Sequence, residues 1–68
     1  MKYAIVIEKS DTGYGAYVPD LPGCVAVGET MKETARLLRE AIEFHLEGLR
    51  EDGIAVPEAS TVTEYVEV

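Results

Sequence analysis

Three carboxylates near the start of the chain are of the residue type that a metal-dependent nuclease uses. Glu8 lies in the first β-type segment, and Asp11 and Asp20 flank the second one. Carboxylates that converge on one point can hold a divalent cation, which activates a water molecule for attack on phosphate. Acidic residues in turns more often hydrogen-bond their own backbone, and this structural interpretation is favoured here. A residual metal-dependent nuclease stays as an alternative hypothesis.

The single histidine and the single cysteine could each act as a catalytic group, but neither has a residue nearby in the sequence that would activate it. His45 lies between Ile42 and Leu49 on one apolar stripe, and a general base needs a second group that orients its ring. Cys24 has no basic neighbour that would lower the pKa of its thiol. Both are interpreted as packing residues, so the chain is predicted not to be an enzyme, and no cofactor or metal is expected.

Acidic side chains dominate the polar surface. Glu40, Glu43 and Glu47 follow one edge of a helical segment, where such residues usually form a solvated face. The functional alternative is a docking surface for a basic protein, because opposite charges speed encounter and select the partner. The chain has 13 Asp and Glu against 6 Lys and Arg, a formal charge of −7. This charge repels a phosphate backbone and disfavours direct nucleic-acid binding.

The 68 residues are enough for one small domain, residues 1–68. Hydrophobic residues make up 47% of the chain, which is too many for a disordered sequence. No apolar run approaches the roughly 20 residues that cross a bilayer, and no signal-peptide segment follows Met1. We therefore expect a soluble, cytoplasmic domain with no membrane partner.

The β-type segments lie mainly in the first 28 residues. Tyr3–Lys9 and Tyr14–Val18 are rich in β-branched and aromatic residues and are separated by turn residues, which predicts an antiparallel hairpin. Residues 19–23 contain two prolines and a glycine, so a stiff loop is expected there. A third strand is predicted from Cys24 to Gly28.

One long amphipathic helix is predicted after Thr30. The spacing from Thr30 to Glu33 matches a capping box, and Gly53 followed by Pro57 marks the end. The alternating valines of Thr61–Val68 predict a last strand. The inward stripe of the helix consists of Met31, Thr34, Ala35, Leu38, Ala41, Ile42, His45 and Leu49. On its outward side, ion pairs are expected between Arg36 and Glu40 and between Arg39 and Glu43.

The expected fold class is α+β, a single β-β-β-α-β layer in which one sheet packs on one long helix. One helix covers one face of a sheet, yet the first strand is apolar on both faces, with Tyr3, Ile5 and Ile7 alternating with Ala4 and Val6. Something else must cover the second face. We therefore expect a homodimer or a homotetramer.

Several segments together resemble the HicB-like antitoxin family. They are Pro-Asp-Leu-Pro-Gly-Cys at 19–24, Gly-Glu-Thr at 28–30, Glu-Ala-Ile at 40–42, and Gly53 with Pro57. With the hairpin they cover essentially the whole chain, and the combination is more specific than any one piece. The resemblance implies a truncated ribonuclease H-like fold that has lost its catalytic carboxylates.

The resemblance also implies a function, that of the antitoxin in a type II toxin-antitoxin pair. Such a protein neutralises a HicA-like toxin, a small basic ribonuclease that cuts mRNA, by masking its RNA-binding surface and active site. The residues expected at this contact are Asp11, Tyr17 and Asp20, with Glu40, Glu43 and Glu47 as a second patch. Many relatives carry a C-terminal DNA-binding module, which this sequence lacks, so direct DNA contact is not expected. A stand-alone oligomeric module that binds another protein is the remaining alternative.

Overall fold

Three short strands and one long helix form the fold in the computed structural model, which describes residues 1–68. Strand β1 spans Val6–Lys9, β2 spans Tyr14–Tyr17, β3 spans Val25–Gly28, and α1 spans Met31–Glu51. The strands form one antiparallel sheet in the order β1-β2-β3. The α+β class and the order of the first four elements are confirmed. The helix lacks the combination of length and apolar character that crossing a lipid bilayer requires.

Strand β1 begins later than the sequence predicts. Extending the register of the β1–β2 pair would place Pro19 opposite Ala4, and proline has no N–H to donate to the ladder. The N–H of Val18 donates instead to the carbonyl of Cys24 at 3.2 Å, on the other side of the loop. The first residues of the predicted strand therefore have no ladder partners on β2.

Both ends of α1 are capped, although only one of the two hydrogen bonds of the predicted capping box forms. The Thr30 hydroxyl accepts a hydrogen bond from the Glu33 N–H at 3.0 Å, which satisfies one of the free donors of the first turn. At the other end, Gly53 adopts a φ of 69°, and the Ile54 N–H donates to the Leu49 carbonyl at 2.9 Å. This is the Schellman arrangement, in which a left-handed glycine reverses the chain after a helix.

The core lies between the sheet and the first half of the helix. One of its members, Leu21, comes from the proline-rich loop and is completely buried, as is Leu38 of the helix. Thr34 is also buried, and its hydroxyl donates to the Thr30 carbonyl at 2.7 Å. The five buried hydrophobic residues are Ala16, Val18, Leu21, Cys24 and Leu38.

The predicted inward stripe of the helix is confirmed with one correction. Leu38 is buried, and Ala35, Ile42 and Leu49 are half-buried. Met31 was expected to be inward, but it is 55% exposed. Met31 lies in the first turn of α1, close after the connection from β3. The spacing of apolar residues predicts which side of the helix it is on, but not whether another element faces it there.

The outer face of the sheet is uncovered in the single chain. Ile5 and Ile7 pack towards the core, as the alternation in the first strand predicts. On the opposite face, the register aligns Tyr17 with Val25, and exposure is 43% for Tyr17, 64% for Val25 and 77% for Val27. An antiparallel sheet can keep one face towards water, but that face is normally polar.

The predicted final strand, Thr61–Val68, is wrong for the single chain. Residues 61–68 form no strand, and all of them are exposed. Their β-type composition is intact, but a strand also needs a neighbouring backbone to bond to, and none of the chain's own strands pairs with this segment. The fold of one chain is therefore β-β-β-α followed by an exposed segment.

Candidate functional site

The solvent-exposed edge of α1 carries three carboxylates around an exposed aromatic ring. Glu40, Glu43 and Glu47 are all exposed, and Phe44 between them is 80% exposed. At 3.6 residues per turn, Glu40 and Glu47 lie one turn before and after Phe44 on nearly the same line. An apolar ring surrounded by charges of one sign can bury itself against an apolar spot on a partner while the charges meet opposite ones.

Two of these carboxylates make the ion pairs that the sequence predicts. Nη1 of Arg36 lies 3.1 Å from Oε2 of Glu40, and Nε of Arg39 lies 3.5 Å from Oε1 of Glu43. All four side chains are largely exposed, so each pair is worth a few tenths of a kcal/mol at most. Pairs this weak leave the carboxylates free to exchange partners.

An open groove of about 670 Å³ runs beside this helix edge, between the start of β3 and the second half of α1. Leu37, Phe44 and Leu49 give it apolar walls, and His45 and Cys24 also line it. Burial raises the pKa of the Cys24 thiol, which keeps the sulfur protonated and unreactive. The groove therefore offers a shape and an apolar surface, with no activated nucleophile.

The carboxylate of Asp20 is hydrogen-bonded to other residues of the same chain. Its Oδ2 accepts hydrogen bonds from the N–H groups of Ser60 and Thr61 at 3.1 and 3.0 Å, and its Oδ1 accepts from their hydroxyls at 3.2 and 2.7 Å. The backbone hydrogen bond from Thr61 is the main cause that lowers the pKa of the Asp20 carboxyl below its ordinary value. The carboxylate thus fastens the chain after the helix to the β2–β3 loop.

The other residues that the sequence suggested for a functional site, Asp11, Tyr17 and Glu8, do not lie together in the structure. Asp11 lies in the turn before β2, whereas Tyr17 ends β2, so they lie about 10 Å or more apart along the strand. Glu8 is exposed on β1, paired with Gly15. No three His, Cys, Asp or Glu side chains come close enough together to hold a metal ion. The carboxylate set of the nuclease hypothesis is therefore not assembled in this chain.

Sequence reasoning missed two features of these surfaces. The first is the pairing of Asp20 with residues 60 and 61, which are 40 and 41 positions away and leave no local signal. The second is the exposure of Phe44, a large apolar residue that lies outside the predicted inward stripe. Its position one turn from both Glu40 and Glu47 indicates in the sequence that it lies on the solvent-exposed edge of the helix.

The fold and these surfaces define a small acidic α+β module with an exposed helix edge. Residues 3–68 match the family described as the HicB-like antitoxin of the bacterial toxin-antitoxin system. The chain belongs to this family.

Relatives agree with this assignment. An uncharacterised 14.9 kDa protein of Haemophilus phage HP1 is 42% identical over 66 residues, which are 97% of this chain and 50% of the phage protein. Antitoxin HicB 2 of Photorhabdus laumondii is 30% identical over 69 residues, covering this whole chain and 50% of the antitoxin. The chain thus spans about half the length of these two relatives.

A solved structure has the same fold. One chain of the HicA3 and HicB3 toxin-antitoxin complex superposes with a TM-score of 0.73 at 32% sequence identity, over 88% of this chain and 70% of that chain. The similarity extends over most of the elements described above, so the fold is shared with a protein found in a toxin-antitoxin assembly.

Proposed function

We propose that this chain acts as an antitoxin that binds and neutralises a HicA-like ribonuclease toxin without catalysing a reaction itself. The observation that carries the proposal is the match to a chain of the HicA3 and HicB3 complex over 88% of this chain. Family membership over residues 3–68 and a formal charge of −7 support the same conclusion. A ribonuclease must attract an RNA backbone, so a toxin of this class carries a basic surface that an acidic protein can occupy.

The contact surface is the edge of α1 formed by Glu40, Glu43 and Glu47 around Phe44. Three features support this choice over the hairpin and loop. The three carboxylates are exposed and only weakly paired, and Phe44 supplies the buried anchor that strong interfaces usually need. The third feature is that Asp20, in the loop, is already occupied by Ser60 and Thr61.

Asp11 and Tyr17 belong to a second contact area on the hairpin. Asp11 is exposed in the β1–β2 turn and Tyr17 is exposed on the outer sheet face. Their separation along β2 means that a partner would reach both only by lying across the sheet. Changes at these two positions therefore test a different docking geometry from changes on the helix edge.

Inhibition is competitive in this mechanism. Carboxylates on the helix edge form charge-assisted hydrogen bonds with the arginine and lysine side chains that otherwise hold RNA phosphates. While the antitoxin is bound, RNA cannot reach the toxin's basic surface or the active site that this surface serves. Because exposed charges are screened by salt, the association rate should fall as ionic strength rises.

The direct test is co-expression with the product of the neighbouring gene, which this proposal predicts to be a small basic protein. The expected result is a stable complex, rescue of growth, and loss of RNA cleavage by the toxin in vitro. A Phe44→Ala variant should weaken the complex by about 2 kcal/mol if the ring is the anchor of the interface. Phe44 is 80% exposed, so this change should leave the fold intact.

Charge reversal on the helix edge gives the matched comparison. Glu40→Lys with Glu47→Lys should slow association and reduce its salt dependence. Glu58→Lys with Glu29→Lys makes the same change in net charge at exposed positions elsewhere. Equal effects from both pairs would show that only total charge matters, contradicting the proposed surface. RNA cleavage by the purified chain alone, with no toxin present, would contradict the function.

A further inference from the structure

The segment of residues 62–68 is unusually apolar for a part of the chain that is exposed along its whole length. Its large apolar residues Val62, Tyr65, Val66 and Val68 are all at least 80% exposed. β-branched and aromatic residues in alternation favour a strand that is half-buried on one face. The composition therefore favours a β-strand, but the segment forms no strand in the single chain.

The base of this exposed segment is fixed. Asp20 holds Ser60 and Thr61 through four hydrogen bonds, and the Tyr3 hydroxyl donates to the carbonyl of Pro57. Residues up to 61 are thus fastened to the body of the domain beside the start of the first strand. The next seven residues are all exposed and pair with no strand of their own sheet.

The sheet has a free edge that could receive such a segment. Strand β1 is terminal in the order β1-β2-β3, so the backbone groups on its outer side have no partner. The helix packs mainly over β2 and β3, and an open crevice of about 330 Å³ remains between the start of the chain and α1. Tyr3, Ile42 and Leu46 line this crevice, with the Arg39–Glu43 ion pair at its side.

Charge distinguishes the two edges of the sheet. The residues along the β1 edge include Lys2 and Lys9, and both are exposed. The β3 edge has no basic residue in its strand and lies beside the groove that Glu40 and Asp52 line. The exposed segment carries Glu64 and Glu67, and the β1 edge offers two lysines against one exposed carboxylate, Glu8, so this edge favours the segment over the β3 edge.

We propose that residues 62–68 add as a fourth strand to the free β1 edge of a second copy of this chain. Reciprocal exchange satisfies both edges at once and gives a closed, two-fold dimer. The alternation places Val62, Val66 and Val68 on one face, which covers the crevice beside Ile42 and Leu46 of the second copy. Glu64 shares that face, and Arg39 can meet it by exchanging its weak, exposed pair with Glu43.

Dimerisation and its dependence on this segment are the first measurement. The wild-type chain should sediment with twice its mass of 7.4 kDa at tens of micromolar. Val66→Pro and Glu67→Pro each remove a backbone donor from an exposed segment, so the domain itself stays folded. Adjacent N–H groups of a strand point to opposite sides, so one of the two variants loses two symmetry-related hydrogen bonds, and its dimer dissociation constant should rise roughly 30-fold. Val66→Thr keeps the strand-forming character and should retain the dimer.

Hydrogen exchange identifies the edge. In the wild-type dimer, the amides of β1 that point away from β2 should be protected. In the proline variant that weakens the dimer they should exchange faster, while the amides bonded to β2 stay protected. Charge exchange supplies a second check, because Lys2→Glu with Lys9→Glu should weaken the dimer and adding Glu64→Lys with Glu67→Lys should restore it. A monomer, a dimer indifferent to both Val66→Pro and Glu67→Pro, or a β1 edge protected within a monomer by its own segment would each overturn the proposal.

Discussion

Removing the side chain of Leu21 should destabilise the whole domain, although the residue lies in a loop. Leu21 has no exposed surface and is one of five buried hydrophobic residues. Its N–H donates to the Val18 carbonyl and its carbonyl accepts from the Cys24 N–H, each at 3.1 Å, so the backbone cannot easily move to fill a cavity. A buried leucine replaced by alanine typically costs about 2–5 kcal/mol.

That loss is large for a chain of this length. A 68-residue domain is stabilised by about 3–10 kcal/mol in total. With a urea dependence of about 1 kcal/mol per molar, expected for a small protein, a loss of 3 kcal/mol lowers the unfolding midpoint by about 3 M. The measurement is urea unfolding followed by circular dichroism, at one fixed protein concentration because association would add stability.

Met31→Ala is the matched control for Leu21→Ala. It also removes a large apolar side chain, but from a position that is 55% exposed, so its effect should stay within about 0.5 kcal/mol. The two variants differ in burial far more than in the chemistry removed. Equal midpoints for both would refute the reasoning that the proline-rich loop contributes to the core.

Three further changes test the local contacts. Gly28→Ala should cost about 1–3 kcal/mol in thermal or urea unfolding, because its Cβ would lie 2.6 Å from the Thr34 hydroxyl and 3.1 Å from the Thr34 nitrogen. Thr30→Ala should cost about 1 kcal/mol by removing the helix cap, measured in the same way. The pKa of Asp20 lies below its ordinary value of 3.8. The hydrogen bonds from Asp20 to Thr61 should therefore be fully formed above pH 3.8 and be lost as the pH falls through the lowered pKa. The NMR chemical shift of the Thr61 amide would report this loss.

Each of these changes has a control. Gly48→Ala meets nothing within 4 Å and should stabilise the helix by about 1 kcal/mol, in contrast to Gly28→Ala. Thr30→Ser keeps the capping oxygen and should behave like the wild-type chain. Asp20→Asn should abolish the acid transition of the Thr61 amide, and a transition that survives this change would assign it to another carboxyl.

The helix and its ends were predictable because their signals are local. Thr30 three residues before Glu33, and Gly53 directly after the last polar turn, act on backbone groups within one helical turn. The hairpin was also predictable, since its turn residues lie between two β-type segments. Family membership followed from the combination of these pieces with the proline-rich loop.

The missed features depend on what lies opposite a residue in space. The spacing of apolar residues placed Met31 inward, but burial needs a facing surface. Residues 61–68 have the composition of a strand, yet none of the chain's own strands pairs with them. The expected contact of Asp20 with a toxin remains a prediction, and its bonds to Ser60 and Thr61 arise from a chain reversal that no local pattern encodes.

The burial of Cys24 makes this protein convenient for site-specific chemistry. Only 4% of the residue is accessible, and its thiol has a raised pKa, so maleimide reagents at neutral pH should react slowly with it. A second cysteine placed at an exposed position on α1 or near Val68 could then carry a fluorophore or spin label without prior removal of the native sulfur. Distances between labels on two chains would report how the copies are arranged.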